Sequence, residues 1–108
     1  MMVPRVSNIF ELQSPHKVGE QIVTLLATTS FRLEHIISNG EASKMGCWYD
    51  QADSEWVVLV RGEAQLKFEG DELLDLRAGD SCLIPAHWKH RVESCSQDAV
   101  WLALHFRA

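Results

Sequence analysis

Apolar residues recur along this chain at every second position in short runs, and no stretch keeps up the three-to-four-residue spacing of a helix. Within residues 31–38 the alternation puts Phe31, Leu33, His35 and Ile37 on one face and Arg32 and Glu34 on the other, the period of a half-buried strand. Residues 20–26, rich in Ile, Val, Leu and Thr, read as the strand before it. Residues 55–61 are strongly apolar and stop at Gly62; residues 64–68 and 73–76 alternate again, with Gly70-Asp71 turning between them. Residues 81–84 run into Pro85, which cannot donate to a ladder and so ends the strand. Arg91-Val92-Glu93 begins a further strand, and residues 99–106 close the chain as the last. Asn39-Gly40 and Gly79-Asp80 supply tight turns. About nine short strands with turn signals every eight to twelve residues predict an all-β sandwich or barrel with no helix longer than about two turns.

Composition narrows the partners. A chain of 108 residues is long enough to bury one core and too short for two. The expectation is a single domain over residues 1–108, with residues 1–18 as an N-terminal arm: the apolar segment 8–12 is stopped by Ser14-Pro15 and could cover one end of the core or lie across a partner subunit. The net charge is −5, with Lys and Arg scattered singly, which repels phosphate backbones and excludes nucleic acid. Cys47, Cys82 and Cys95 are odd in number and share no Cys-x-x-Cys spacing. Neither a disulfide framework nor a thiolate metal site is expected, and reduced thiols point to a cytoplasmic protein. No basic segment precedes a long apolar run, so neither export nor a membrane span is expected.

The chemistry concentrates in residues 79–92. His87 and His90 stand three apart just after Pro85, and imidazole is the commonest side-chain metal ligand near neutral pH. Before them lies Glu55, separated from Gly62 by six residues; Gly79 then opens a second element with five residues between it and Pro85 and His90 beyond. Glu-(six residues)-Gly followed by Gly-(five residues)-Pro and a histidine resembles the two-part signature of the cupin superfamily, over roughly residues 32–106. The resemblance implies a double-stranded β-helix, or jelly-roll barrel, usually dimeric, with a metal or ligand site in the barrel mouth. A homodimer is accordingly expected.

Cupins usually hold a divalent metal with a His-x-His pair and a glutamate from the first motif and a histidine from the second. The resemblance places the glutamate on Glu55 and the second-motif histidine on His90. The His-x-His pair is missing: four residues of spacing before Glu55 put its positions on Trp48 and Asp50, three put them on Tyr49 and Gln51. His87 stands where the second motif generally has glycine. Asp50, Glu55, His87 and His90 are therefore the expected donors for one divalent transition metal, a mixed His-carboxylate set suited to zinc, iron, manganese or nickel if they converge within ~2.0–2.2 Å. The competing arrangement leaves Glu55 and His90 hydrogen-bonded to each other, with Asp50 and His87 facing solvent.

His105 shares a face with Trp101 and Ala103 and would lie beside His90 if that face is the inner one. Trp48, Tyr49, Trp88, Arg32 and His105 are the expected small-molecule contacts, the aromatic ones because aromatic walls with one polar handle suit pockets. His35 and His16 read as structural or exposed. The expected function is a metal-binding, mononuclear-metal enzyme (oxygenase, isomerase or lyase) acting on a small organic molecule. The alternative is a non-catalytic or metal-free small-molecule-binding module, including an epimerase-like pocket with a histidine base and Tyr49 as acid.

Overall fold

Period-two alternation is realised as eight strands among the described residues, with no helix: β1 (Gln21–Ala27), β2 (Phe31–Ile37), β3 (Ser54–Arg61), β4 (Glu63–Phe68), β5 (Leu73–Arg77), β6 (Ser81–Ile84), β7 (His90–Cys95) and β8 (Val100–Phe106). The computed structural model describes residues 3–11, 20–40, 42 and 48–107; His16 and Cys47 lie outside them. The strands form two antiparallel sheets, one ordered β1-β2-β8-β3-β6 and the other β5-β4-β7, a jelly-roll sandwich. No helix of the described residues is long and apolar enough to cross a membrane.

Two glycines carry the chain between the sheets. Gly62 (φ 88°) follows β3 and Gly79 (φ 96°) precedes β6, backbone that an L side chain rarely adopts. Gly79 N–H donates to the Leu59 carbonyl at 2.7 Å and Leu59 N–H to the Asp80 carbonyl at 2.9 Å, fixing β6 beside β3.

Register decides which residues look inward. Glu55, Val57 and Leu59 pair with His105, Ala103 and Trp101, while Glu34 and Ile36 pair with Ala103 and Trp101, and directly paired residues share a face. On that face Val57, Leu59, Trp101 and Ala103 pack with Ala64, Leu66, Leu76 and Ile84 as the core. Trp101 Nε1–H donates to Ser38 Oγ at 3.0 Å, so its one polar atom is satisfied. Glu34, read from the sequence with Arg32 as the polar face of β2, thus shares the core-facing side. β1 is different: it pairs only with β2, and Ile22 and Leu26 are each 55% exposed. It forms an apolar sheet edge of the kind that needs cover.

His35 lies on the other face of β2, fully buried at 0% exposure, and neither ring nitrogen has a hydrogen-bond partner among the described residues. Burial lowers its pKa below the ordinary 6.5. The unfolded chain therefore takes up a proton more readily than the folded one, so the stability held above pH ~6.5 declines as pH falls toward the lowered value. His35→Leu removes the orphaned polar atoms at similar volume. It should raise stability at pH 7 by roughly 1–3 kcal/mol and flatten the decline below pH ~6.5. Denaturant unfolding at both pH values measures this, and a variant no more stable than wild type would contradict it.

Candidate functional site

Four strands bring a line of charged side chains into the barrel. His90 opens β7 and is buried; its Nδ1 lies 2.9 Å from the Trp88 carbonyl, an acceptor only, so Nδ1 carries hydrogen and Nε2 faces inward. Glu55 on β3, also buried, presents Oε1 at 3.4 Å from His90 Nε2. Its Oε2 lies 3.7 Å from His105 Nε2 on β8, and that nitrogen is 2.8 Å from Glu34 Oε1 on β2. Glu34 Oε2 in turn accepts from Arg32 Nε–H at 3.0 Å. The line Arg32, Glu34, His105, Glu55, His90 thus runs from the surface to the interior, basic and acidic groups alternating. The 3.4 and 3.7 Å separations are longer than those of short hydrogen bonds.

Burial by itself disfavours a charged His90. Contact with the Glu55 carboxylate, the bond to the Trp88 carbonyl and the Glu55 charge outweigh it, and the His90 pKa is raised above 6.5. A histidine so held keeps its proton more readily than a free imidazole. Burial, with Glu55 second, also pushes the neighbouring Cys82 thiol up, which keeps it a protonated, poor nucleophile.

These groups line a cavity of about 100 Å³. Apolar side chains, among them Ile36, Val57, Leu66 and Trp101, line it together with Glu34, Gln51, Glu55, His90 and His105, and Glu20 and Ile22 are contributed by β1 and the residue before it. Tyr49 also lines it, placed by backbone bonds to His90 (2.8 Å from Tyr49 N–H and 3.1 Å to the Tyr49 carbonyl) with the two rings 5.6 Å apart. Larger and more open is a depression of about 600 Å³ around Gln65, Asp75 and Arg77. It lacks buried titratable groups, and Gln65 and Asp75 are already bonded to each other at 2.8 Å.

The expected metal donors are separated into two pairs. Asp50 and His87 are exposed and bonded to each other, Oδ1 to Nδ1 at 2.8 Å, whereas Glu55 and His90 are buried in the barrel. His87 occupies the glycine slot of its motif at φ 63°, the left-handed region that favours glycine. Its side chain meets Asp50 on the rim. His105, the third imidazole nearby, has both nitrogens engaged, Nε2 with Glu34 and Nδ1 with Gln51 Oε1 at 3.1 Å. Among the described residues no group of three or more His, Cys, Asp or Glu is arranged to hold a metal ion. The donor set therefore does not fit a mononuclear metal of the usual kind.

Of the expected contacts, Tyr49 and His105 line the cavity and Trp48 and Trp88 do not. Trp88 is 59% exposed, and Trp48 lies under the Arg91 guanidinium at 5.8 Å from the ring centre. Arg32 acts through Glu34. Sequence reasoning missed Glu34, because the only signal for it was an alternation that reads equally well as a solvated face.

A model of the cupin domain matches residues 35–105, most of the sandwich and every buried member of the charged line except Glu34. The chain belongs to the cupin superfamily. A crystal structure from Ralstonia eutropha, provisionally named a mannose-6-phosphate isomerase, is 39% identical to this cupin over 97% of it and 100% of that chain, with a TM-score of 0.90. A cupin superfamily protein from Desulfitobacterium hafniense is 16% identical over 100% and 95% of the two chains (TM-score 0.77), and KdgF from a Halomonas species 18% over 88% and 86% (TM-score 0.72); these two show the fold. No curated protein matches. Within this cupin Tyr49 and Gln51 line the cavity while Trp48 and Asp50 do not, so the three-residue spacing before Glu55 is the one the fold realises.

Proposed function

We propose that this cupin is a metal-independent isomerase or lyase that moves a proton on a small organic molecule, with His90 and Glu55 as the proton-handling pair and Tyr49 as the acid. The observation that carries the reading is the buried His90–Glu55 contact at 3.4 Å on the wall of an apolar cavity that Tyr49 shares. A carbonyl compound seated there has the proton on its neighbouring carbon facing a base. The pair takes that proton as the C–H electrons form an enediol or enol, while the Tyr49 hydroxyl protonates the carbonyl oxygen. Return of the proton to the former carbonyl carbon, while the neighbouring hydroxyl gives its proton to the Tyr49 phenolate and becomes the new carbonyl, gives the isomer; loss of a leaving group from the β-carbon with the abstracted proton, while the enol hydroxyl returns its proton to Tyr49, gives elimination. Both outcomes are redox-neutral and require no further reactant. Glu34, Gln51 and His105 position Glu55, and the apolar lining keeps water from the enediol. The name of the Ralstonia protein, an isomerase at 39% identity, supports the reaction type.

Solvent deuterium incorporation tests it. Small hydroxyaldehydes, hydroxyketones and keto acids incubated with the protein in D2O should gain deuterium at the carbon beside the carbonyl, and the exchange should persist with chelator present. Exchange abolished by chelator and restored by zinc, iron, manganese or nickel would overturn the metal-free reading; no exchange above buffer across the panel would overturn the proton-transfer reading.

A further inference from the structure

We infer that this cavity admits a short, uncharged α-hydroxycarbonyl compound and discriminates against its phosphate ester, an inference that rests on the proton-transfer reading above. Besides the Tyr49 phenol, the titratable groups on the cavity lining are three carboxylates, Glu20, Glu34 and Glu55, and two imidazoles, His90 and His105. Each imidazole already faces a carboxylate, at 3.4 Å for His90 and 2.8 Å for His105, and Arg32 is bound to Glu34 at 3.0 Å. The basic groups of the line are thus committed, and the lining presents acceptors to whatever enters.

A phosphate ester brings up to two negative charges. To be held here it must take an imidazole from a buried carboxylate, leaving that carboxylate uncompensated, which costs more than an anion gains at a partly buried site. It would also meet Glu20 at the entry. Hydroxyl groups carry no such penalty: they donate to carboxylate oxygens and accept from Tyr49 and the Gln51 amide. Size adds a second constraint. A cavity of about 100 Å³ has room for several water molecules, enough for the reacting end of a small compound held close to Glu55. In a three-carbon compound the ester oxygen then lies within a few bonds of Glu55, where repulsion is poorly screened. The phosphosugar in the name of the Ralstonia protein therefore does not transfer to this cavity with the reaction type.

Dihydroxyacetone and dihydroxyacetone phosphate are the probes, titrated against the labelled full chain while the Gln51 side-chain amide and the His90 ring are followed by NMR. The neutral compound should bind about tenfold or more tighter than the phosphate. Ile22→Arg, which places a cation on an exposed residue at the entry, should cut that ratio about tenfold. Equal or tighter binding of the phosphate to the wild-type cavity overturns the inference, as does a ratio unmoved by Ile22→Arg or a failure of both compounds to shift the two signals. Deuterium exchange into the phosphate compound would show the proton-transfer reading surviving while the substrate class fails.

Discussion

Gly62→Ala should destabilise the fold by about 3 kcal/mol or more, a large share of what a domain of this size possesses. Gly62 stands at φ 88°, and a Cβ there would overlap Ser96 Oγ and lie 2.9 Å from Ala99 Cα and 2.9 Å from Asp98 Oδ1. Two of those neighbours cannot step aside cheaply. Ala99 meets the new atom with backbone, and Ser96 Oγ accepts from Glu63 N–H at 2.9 Å while donating to Asp98 Oδ1 at 2.8 Å. The crossing from β3 to β4 is pinned onto the β7–β8 turn through these contacts, so relief of the clash must open the place where the two sheets are joined. Gly70→Ala is the control, with φ 93° and no atom within 4 Å of its Cβ. It carries the backbone strain alone, roughly 1–2 kcal/mol. Thermal unfolding of the two variants should separate them clearly, and a Gly62→Ala protein that melts with Gly70→Ala would refute the packing account.

The same glycine shows why so much of the fold was legible. Gly62 and Gly79 mark, at fixed distances from Glu55 and Pro85, two of the places where backbone turns through positive φ, those that carry the chain from β3 to β4 and from β5 to β6. Alternation supplied the strands between them: residues 64–68 and 73–76 fall inside β4 and β5, and residues 81–84 are β6. Alternation cannot say which face of a strand is inner when both are covered. β2 is the case in point, since Ile37 and His35 are fully buried on one face while Glu34 and Ile36 look into the cavity on the other. A Glu on a strand reads as solvated until the cross-strand partner is known, and the partner of Glu34 in space, His105, is 71 residues away in sequence.

The site was legible where motif spacing fixes geometry and obscure where a side chain replaces a missing one. Glu55 and His90 meet, as two motifs at that separation require. His87 misled for a physical reason: its position is set by the positive φ of the turn, so the residue there is aimed by backbone and not by the needs of the barrel interior. Asp50 follows it to the rim through their 2.8 Å bond. Tyr49 and Gln51 hold the inward positions; the aromatic ring with its hydroxyl marked Tyr49 as a pocket residue from sequence, whereas the Gln51 amide gave no such signal.

Glu55→Gln should reduce deuterium exchange by about a hundredfold to ten-thousandfold while leaving the fold intact. Glutamine preserves the shape of Glu55 and can hydrogen-bond to His90, but it carries no charge and cannot hold a proton for return to substrate. The second consequence is spectroscopic. Burial disfavours the His90 imidazolium, and the contact and charge of Glu55 are what reverse it. With the charge gone, desolvation is opposed only by the Trp88 carbonyl and a neutral amide, so the His90 ring should titrate lower in the variant than in the wild type. His90 then holds its proton less readily, so both members of the proton-handling pair are altered. Imidazole nitrogen shifts followed through the pH range report this directly, whether or not the true substrate has been found. A variant whose His90 midpoint stays with the wild type would show that Glu55 does not hold the proton, and would take the proton-handling pair with it.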